Sequence, residues 1–141
     1  MKSVFVLLST LGFASIVSSA MAAPADLKVE VHGIKQTKGE IIVALFDKKE
    51  KWLGDAILRK STDAKMGAVE VVFNNVPEGE YAISVLHDAN SNGVLDTNPI
   101  GIPVEAYGFS NDATGSFGPA SFADAKFKID GSNKAISIRV N

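Results

Sequence analysis

The chain has 141 residues, no cysteine, and 14 Lys/Arg against 16 Asp/Glu, a formal net charge of −2 at pH 7. So mild an acidic balance does not suit a nucleic-acid binder, which would show a basic patch, and the lack of cysteine excludes disulfides, thiolate metal sites and a lipid-modified cysteine. The length suits one domain with a real core and is short for two.

Residues 1–22 carry one lysine at Lys2, an uncharged apolar stretch from Val4 to Val17 and small residues ending in Ala20-Met21-Ala22. That is the pattern of a secretory signal peptide, and the apolar stretch is shorter than the roughly 20 residues of a membrane span. The expectation is an exported protein, periplasmic or secreted and free of the membrane once the signal is removed, with a single domain over 23–141. Without disulfides, its stability has to come from burial, backbone pairing and a bound ion if there is one.

Strand signals follow one another along this domain. Leu27, Val29 and Val31 alternate with Lys28, Glu30 and His32, the period-2 pattern of a half-buried strand. In "GEIIVALFD", residues 39–47, both parities are apolar, which predicts a central strand covered on two sides. "DKKEKWLG", residues 47–54, suits one helical turn that folds Trp52 against the sheets. A weaker strand is expected in "AILRKS" from Ala56, and clear ones at Val69, Val71 and Phe73 and at Tyr81, Ile83 and Val85. Near the end, Ala125, Phe127 and Ile129 form a strand, "DGSN" at 130–133 a turn, and Ile136, Ile138 and Val140 the return strand. "TKG" before Glu40 and "PEG" at 77–79 supply turns, proline presetting φ and glycine permitting a positive one.

Short strands separated by turn signals point to two packed sheets. "GEIIVALFD" and "AVEVVFNNVPEGEYAISVLHD" resemble the Greek-key sandwich of transthyretin-like and carboxypeptidase-regulatory-like domains. Through "VPEGEYAISVLHDANSNGVLD", "GIPVEAYGFSND" and "GPASFADAKF" the chain is similar to the DUF2141 family, exported bacterial proteins of unknown function. The resemblance implies a sandwich and export, and no activity. The fold expected is all-β: a seven-stranded antiparallel Greek-key β-sandwich, prealbumin-like, with one long ordered loop over 88–122.

That loop carries the chemistry. Asp88, Asn90 and Asn92 stand at alternate positions, Gly93 follows, and Asp96 comes at the ninth position. This is the first half of a calcium loop, in which alternate oxygens converge because the glycine allows a sharp bend around the ion. Asp88, Asn90 and Asn92 would offer side-chain oxygens, Val94 its carbonyl and Asp96 a carboxylate, a set that suits hard calcium rather than zinc. The twelfth position is Pro99 instead of glutamate, so this is no EF-hand. A closing carboxylate would have to come from Glu105 or Asp112. The same Asp, Asn and Gly residues also build polar turns without a metal, and that reading stands beside the first.

In the second half of the loop, Tyr107, Phe109 and Phe117 alternate with glycines. They form either an exposed platform for a glycan or a protein, or, with Tyr107, Phe109 and Phe122 turned inward, a satellite core that anchors the loop. His32 and His87 are the two histidines, and no nucleophile elbow, P-loop or dinucleotide fingerprint is present. His87 and Asp88 are adjacent in a strand and so point to opposite faces. The sequence therefore predicts a non-catalytic exported module with a low-affinity calcium site in the 88–96 loop. The alternative is a carbohydrate- or protein-binding module with a metal-free turn.

Overall fold

Alternation builds the first sheet. Strand β1 (Ala25–Ile34) buries Ala25, Leu27, Val29 and Val31 and exposes Asp26, Lys28 and Glu30. The chain is seen here as a computed structural model that describes residue 18 and residues 22–141, so the expected signal segment lies almost wholly outside the described residues. Strands β2 (Glu40–Phe46), β3 (Leu58–Asp63) and β4 (Gly67–Val76) follow. β4 pairs antiparallel with β1, setting Val71 opposite Val29.

Strand β5 (Gly79–Asp88) is the centre of the second sheet, with β6 (Tyr107–Phe109) and β7 (Phe127–Ile129) beside it, and β8 (Lys134–Arg139) returns to the first. The orders are β4–β1–β8 in one sheet and β3–β2–β5–β6 in the other, with β7 paired to the start of β5. Leu27, Val29, Val31, Val71 and Phe73 from the first sheet share one core with Ile41, Val43, Leu45, Ile83 and Val85 from the second. Full burial of a side chain of this size contributes about 1.5–3 kcal/mol, and this core does the work that disulfides do elsewhere.

The fold is thus all-β with two sheets, and it corrects the expected topology in three places. Eight strands are present among the described residues rather than seven, because the long loop contains β6. Three residues with a glycine in the middle are too few to display a period. Second, the arrangement is not wholly antiparallel: β8 lies parallel to β1, Ile136 opposite Val29. Alternation identifies a strand but says nothing of its partner's direction. Third, Ala125 belongs to a single helical turn, α1 (Phe122–Ala125), whose N-cap Ser121 accepts from the Asp124 N–H at 3.1 Å, and the strand starts at Phe127.

Of the expected turn glycines, Gly39 takes a positive φ of 77°, whereas Gly79 does not. Lys49–Lys51 form one 3₁₀ turn that brings Trp52 back onto the second sheet, and Asp130 Oδ1 accepts from Ser132 N in the "DGSN" turn. At the β4–β5 corner the Tyr81 hydroxyl donates to the Pro77 carbonyl at 2.8 Å. Burial, with the Asp47 carboxylate adding to it, pushes the phenol above its usual pKa and keeps it a donor. Tyr81→Phe is expected to lower stability by about 1 kcal/mol, the net worth of such a bond, read as a reduced urea midpoint with an unchanged slope.

Candidate functional site

β2 is apolar on both parities, so its odd residues enter the core while Ile42, Ala44 and Phe46 face the other side and are still buried. Trp52 and the long loop lie over part of this face. The loop's anchor is a second cluster of Ala82, Phe109, Ala120 and Ala125, with Trp52, Tyr107 and Phe122 packed against it. The Trp52 ring lies 5.0 Å from Phe46, 5.7 Å from Phe109 and 5.9 Å from Phe122, and its indole N–H donates to the Ala120 carbonyl at 2.9 Å. Ser110 is buried beneath, accepting from Ile83 N and donating to the Ala125 carbonyl. It clamps the loop and has no exposure with which to act as a nucleophile. Tyr107, Phe109 and Phe117 consequently do not share one exposed platform: Phe109 is buried, Tyr107 is half-buried, and only Phe117 of the three stands fully in solvent.

At the end of β5 the two side chains of the His87-Asp88 pair part. His87 is buried with Nε2 2.8 Å from the Lys38 carbonyl, whereas Asp88, also wholly buried, turns to the loop. Asp88 Oδ1 accepts from Asn92 N at 3.2 Å and Oδ2 from Gly93 N at 2.6 Å. Positive φ at Ser91 (56°) and Gly93 (82°) lets the backbone curl around this carboxylate. The Asn90 and Asn92 side-chain oxygens each accept from a backbone N–H two residues on, at 3.2 and 3.1 Å. Their amide nitrogens donate to the Asp96 carboxylate, at 2.6 Å from Asn90 and at 2.9 and 3.1 Å from Asn92.

A small hairpin follows. Thr97 and Pro103 form a bridge, Val104 N donates to the Asp96 carbonyl at 2.9 Å, and the Asn98 side chain closes the tip by accepting from Ile100 N and Ile102 N. Its effect is to return Glu105 to the mouth of the 88–96 loop. Glu105 Oε1 accepts from Ala89 N at 2.9 Å and Oε2 from Asp96 N at 3.0 Å. Asp112 goes elsewhere: its Oδ1 accepts from Arg139 N at 2.8 Å, beside β8. Of the two carboxylates that the spacing left open, Glu105 is the one joined to the loop. The "TNPIG" turn at 97–101 was the legible signal for that hairpin.

Asp88 and Glu105 thus accept from backbone N–H groups of one short stretch and Asp96 from the side-chain amides of Asn90 and Asn92, and none of the three forms an ion pair among the described residues. No group of three His, Cys, Asp or Glu side chains poised to hold a metal occurs among the described residues. The residues expected from the sequence as ligands would offer carboxylate and amide oxygens and the Val94 carbonyl. All are oxygen donors, so the set fits a hard cation such as calcium and not a thiophilic one. The only cation touching the loop among the described residues is Arg59, which donates to the Gly93 carbonyl at 2.6 Å.

The sequence model of the family described as "Uncharacterized protein conserved in bacteria (DUF2141)" matches residues 29–137, which takes in both sheets and the whole of the long loop. No curated protein and no solved structure matches the chain.

Proposed function

The chain belongs to the DUF2141 family, uncharacterized proteins conserved in bacteria, and from that premise we propose an exported, non-catalytic β-sandwich module of the prealbumin-like kind whose 88–96 loop binds calcium. The observation that carries the reading is Glu105, delivered by its own hairpin so that one carboxylate ties both ends of the loop, Ala89 and Asp96. Asp88, Asn90, Asn92, Val94 and Asp96 would supply the remaining oxygens. Each asparagine amide offers a nitrogen to Asp96 or, with a cation beside it, an oxygen to the ion. Calcium takes six to eight oxygens in flexible geometry, and magnesium demands a near-ideal octahedron, so this irregular donor set favours calcium. With few formal charges, affinity belongs in the range of extracellular modules, about 10⁻⁴ to 10⁻³ M.

Calorimetric titration of calcium into the chelator-treated protein tests the reading. Glu105→Gln is expected to weaken binding about tenfold, or 1.4 kcal/mol, by removing one charged ligand. Asp112→Asn should titrate like the native chain. The absence of any saturable calcium heat would sink the proposal, and a Glu105→Gln variant with native affinity would remove Glu105 from the site.

A further inference from the structure

The outer face of the second sheet holds a feature that the calcium reading does not use. Strand register lays Arg59, Ala44, Ser84 and Phe109 in one row across β3, β2, β5 and β6, and the next row contains Ile42, Leu86 and Tyr107. The two residues at the centre of the first row, Ala44 and Ser84, are small, while Arg59 and Phe109 at its ends and Ile42, Leu86 and Tyr107 in the next row are bulky, so the floor sinks in the middle. The loop over 93–103 rises on one side and the segment Leu53–Ala56 on the other, enclosing a cleft of about 590 Å³. That is the size of a ligand site, typically about 300–1,000 Å³.

Its lining is mostly apolar, and Arg59 is the one charged residue on it among the described residues. At the rim, Leu53, Val94 and Leu95 remain 41%, 58% and 38% exposed, an apolar collar in contact with water. The Arg59 guanidinium donates to the Gly93 carbonyl and forms no ion pair among the described residues. A guanidinium has five N–H donors, and its fork matches a carboxylate.

We propose that this cleft binds a single-chain anionic amphiphile, an aliphatic carboxylate whose chain lies over Ala44 and Ser84 and whose head pairs with Arg59. The apolar floor disfavours a glycan, and the lone positive charge disfavours a cationic head. Binding here requires no ion in the neighbouring loop, so the two sites are separable by experiment.

The test is titration of dodecanoate into the full chain in chelator, followed by the fluorescence of Trp52, the one tryptophan, whose ring touches the cleft-lining Phe46 and Phe109. Saturable binding is expected, strengthening by up to about fourfold per methylene from octanoate to dodecanoate, the equivalent of about 0.8 kcal/mol for each buried CH₂. Dodecyltrimethylammonium should bind at least tenfold more weakly. Arg59→Gln, at an exposed position that leaves the core intact, should erase that preference, and Ser84→Leu should fill the floor and abolish binding of both. Equal affinity for the two head groups in the native chain would overturn the proposal. So would unsaturable binding, or dodecanoate binding unchanged in a folded Ser84→Leu.

Discussion

Saturating calcium is expected to raise the melting temperature of the protein by about 10 °C over the chelator-treated state. An ion that binds only the native state stabilises it by mass action, about 2.7 kcal/mol at 100 times the dissociation constant. A domain of this size gains several degrees per kcal/mol, roughly 4 °C. Magnesium at equal concentration should shift the transition much less, for the geometric reason already given. Asp96→Asn separates the ion from the turn: its oxygen still accepts from the Asn90 and Asn92 amides, so the baseline transition should hardly move while the calcium shift shrinks. Asp88→Ala removes the acceptor of Asn92 N and Gly93 N from a fully buried position, lowering the baseline by about 1–3 kcal/mol as well. A scan with superimposable calcium and chelator traces would leave a metal-free polar turn as the account of this loop.

Gly39→Ala is expected to be among the most damaging small substitutions, costing about 3 kcal/mol and abolishing the calcium shift together. Gly39 has φ of +77°, which by itself costs an alanine about 1–2 kcal/mol. The added methyl would also collide with the Asp88 carbonyl oxygen and approach the Ala89 Cα at 2.6 Å. Both are backbone, which moves only by pulling the start of β2 away from the end of β5, and strain of that kind adds about 1–3 kcal/mol. The atoms displaced are those from which the loop springs and whose N–H Glu105 holds. Gly93→Ala is the control, with a similar φ of +82° but nothing within 4 Å of the added carbon, so it should cost only the conformational penalty of about 1–2 kcal/mol. Thermal and urea unfolding of the two variants, with and without calcium, decide the matter. Equal losses would mean that the close approach at Gly39 is relieved without cost.

The difference between what the sequence discloses and what it withholds is one of range. Leu27, Val29 and Val31, or Tyr81, Ile83 and Val85, disclose their strands because alternation is local, and the apolar run of β2 correctly announces two covered faces. What lies over the second face is not local: Trp52, Phe109 and Phe122 come from three separate segments. Asp88, Asn90, Asn92 and Asp96 are legible as a group because their spacing is short. Glu105 was one of two candidates until the hairpin at Thr97 and Pro103 brought it back, and Asp112, no less acidic, was drawn off by the Arg139 backbone. The cleft was illegible for the same reason, since Arg59, Ala44, Ser84 and Phe109 meet only through the register of four strands.

The parallel pairing of β1 with β8 sets the order of assembly. β1 is the middle strand of its sheet, yet its second neighbour is Lys134–Arg139, more than a hundred residues further along the chain. Until that segment arrives, the edge of β1 from Leu27 to His32 is unpaired and carries three apolar residues, the kind of edge that recruits another chain. Closure of a contact so distant in sequence is slow. A chain ending before residue 134 would keep β4 and β1 joined but open on one side, prone to associate edge to edge. Completion of the first sheet is thereby tied to the arrival of β8, the last strand to be made.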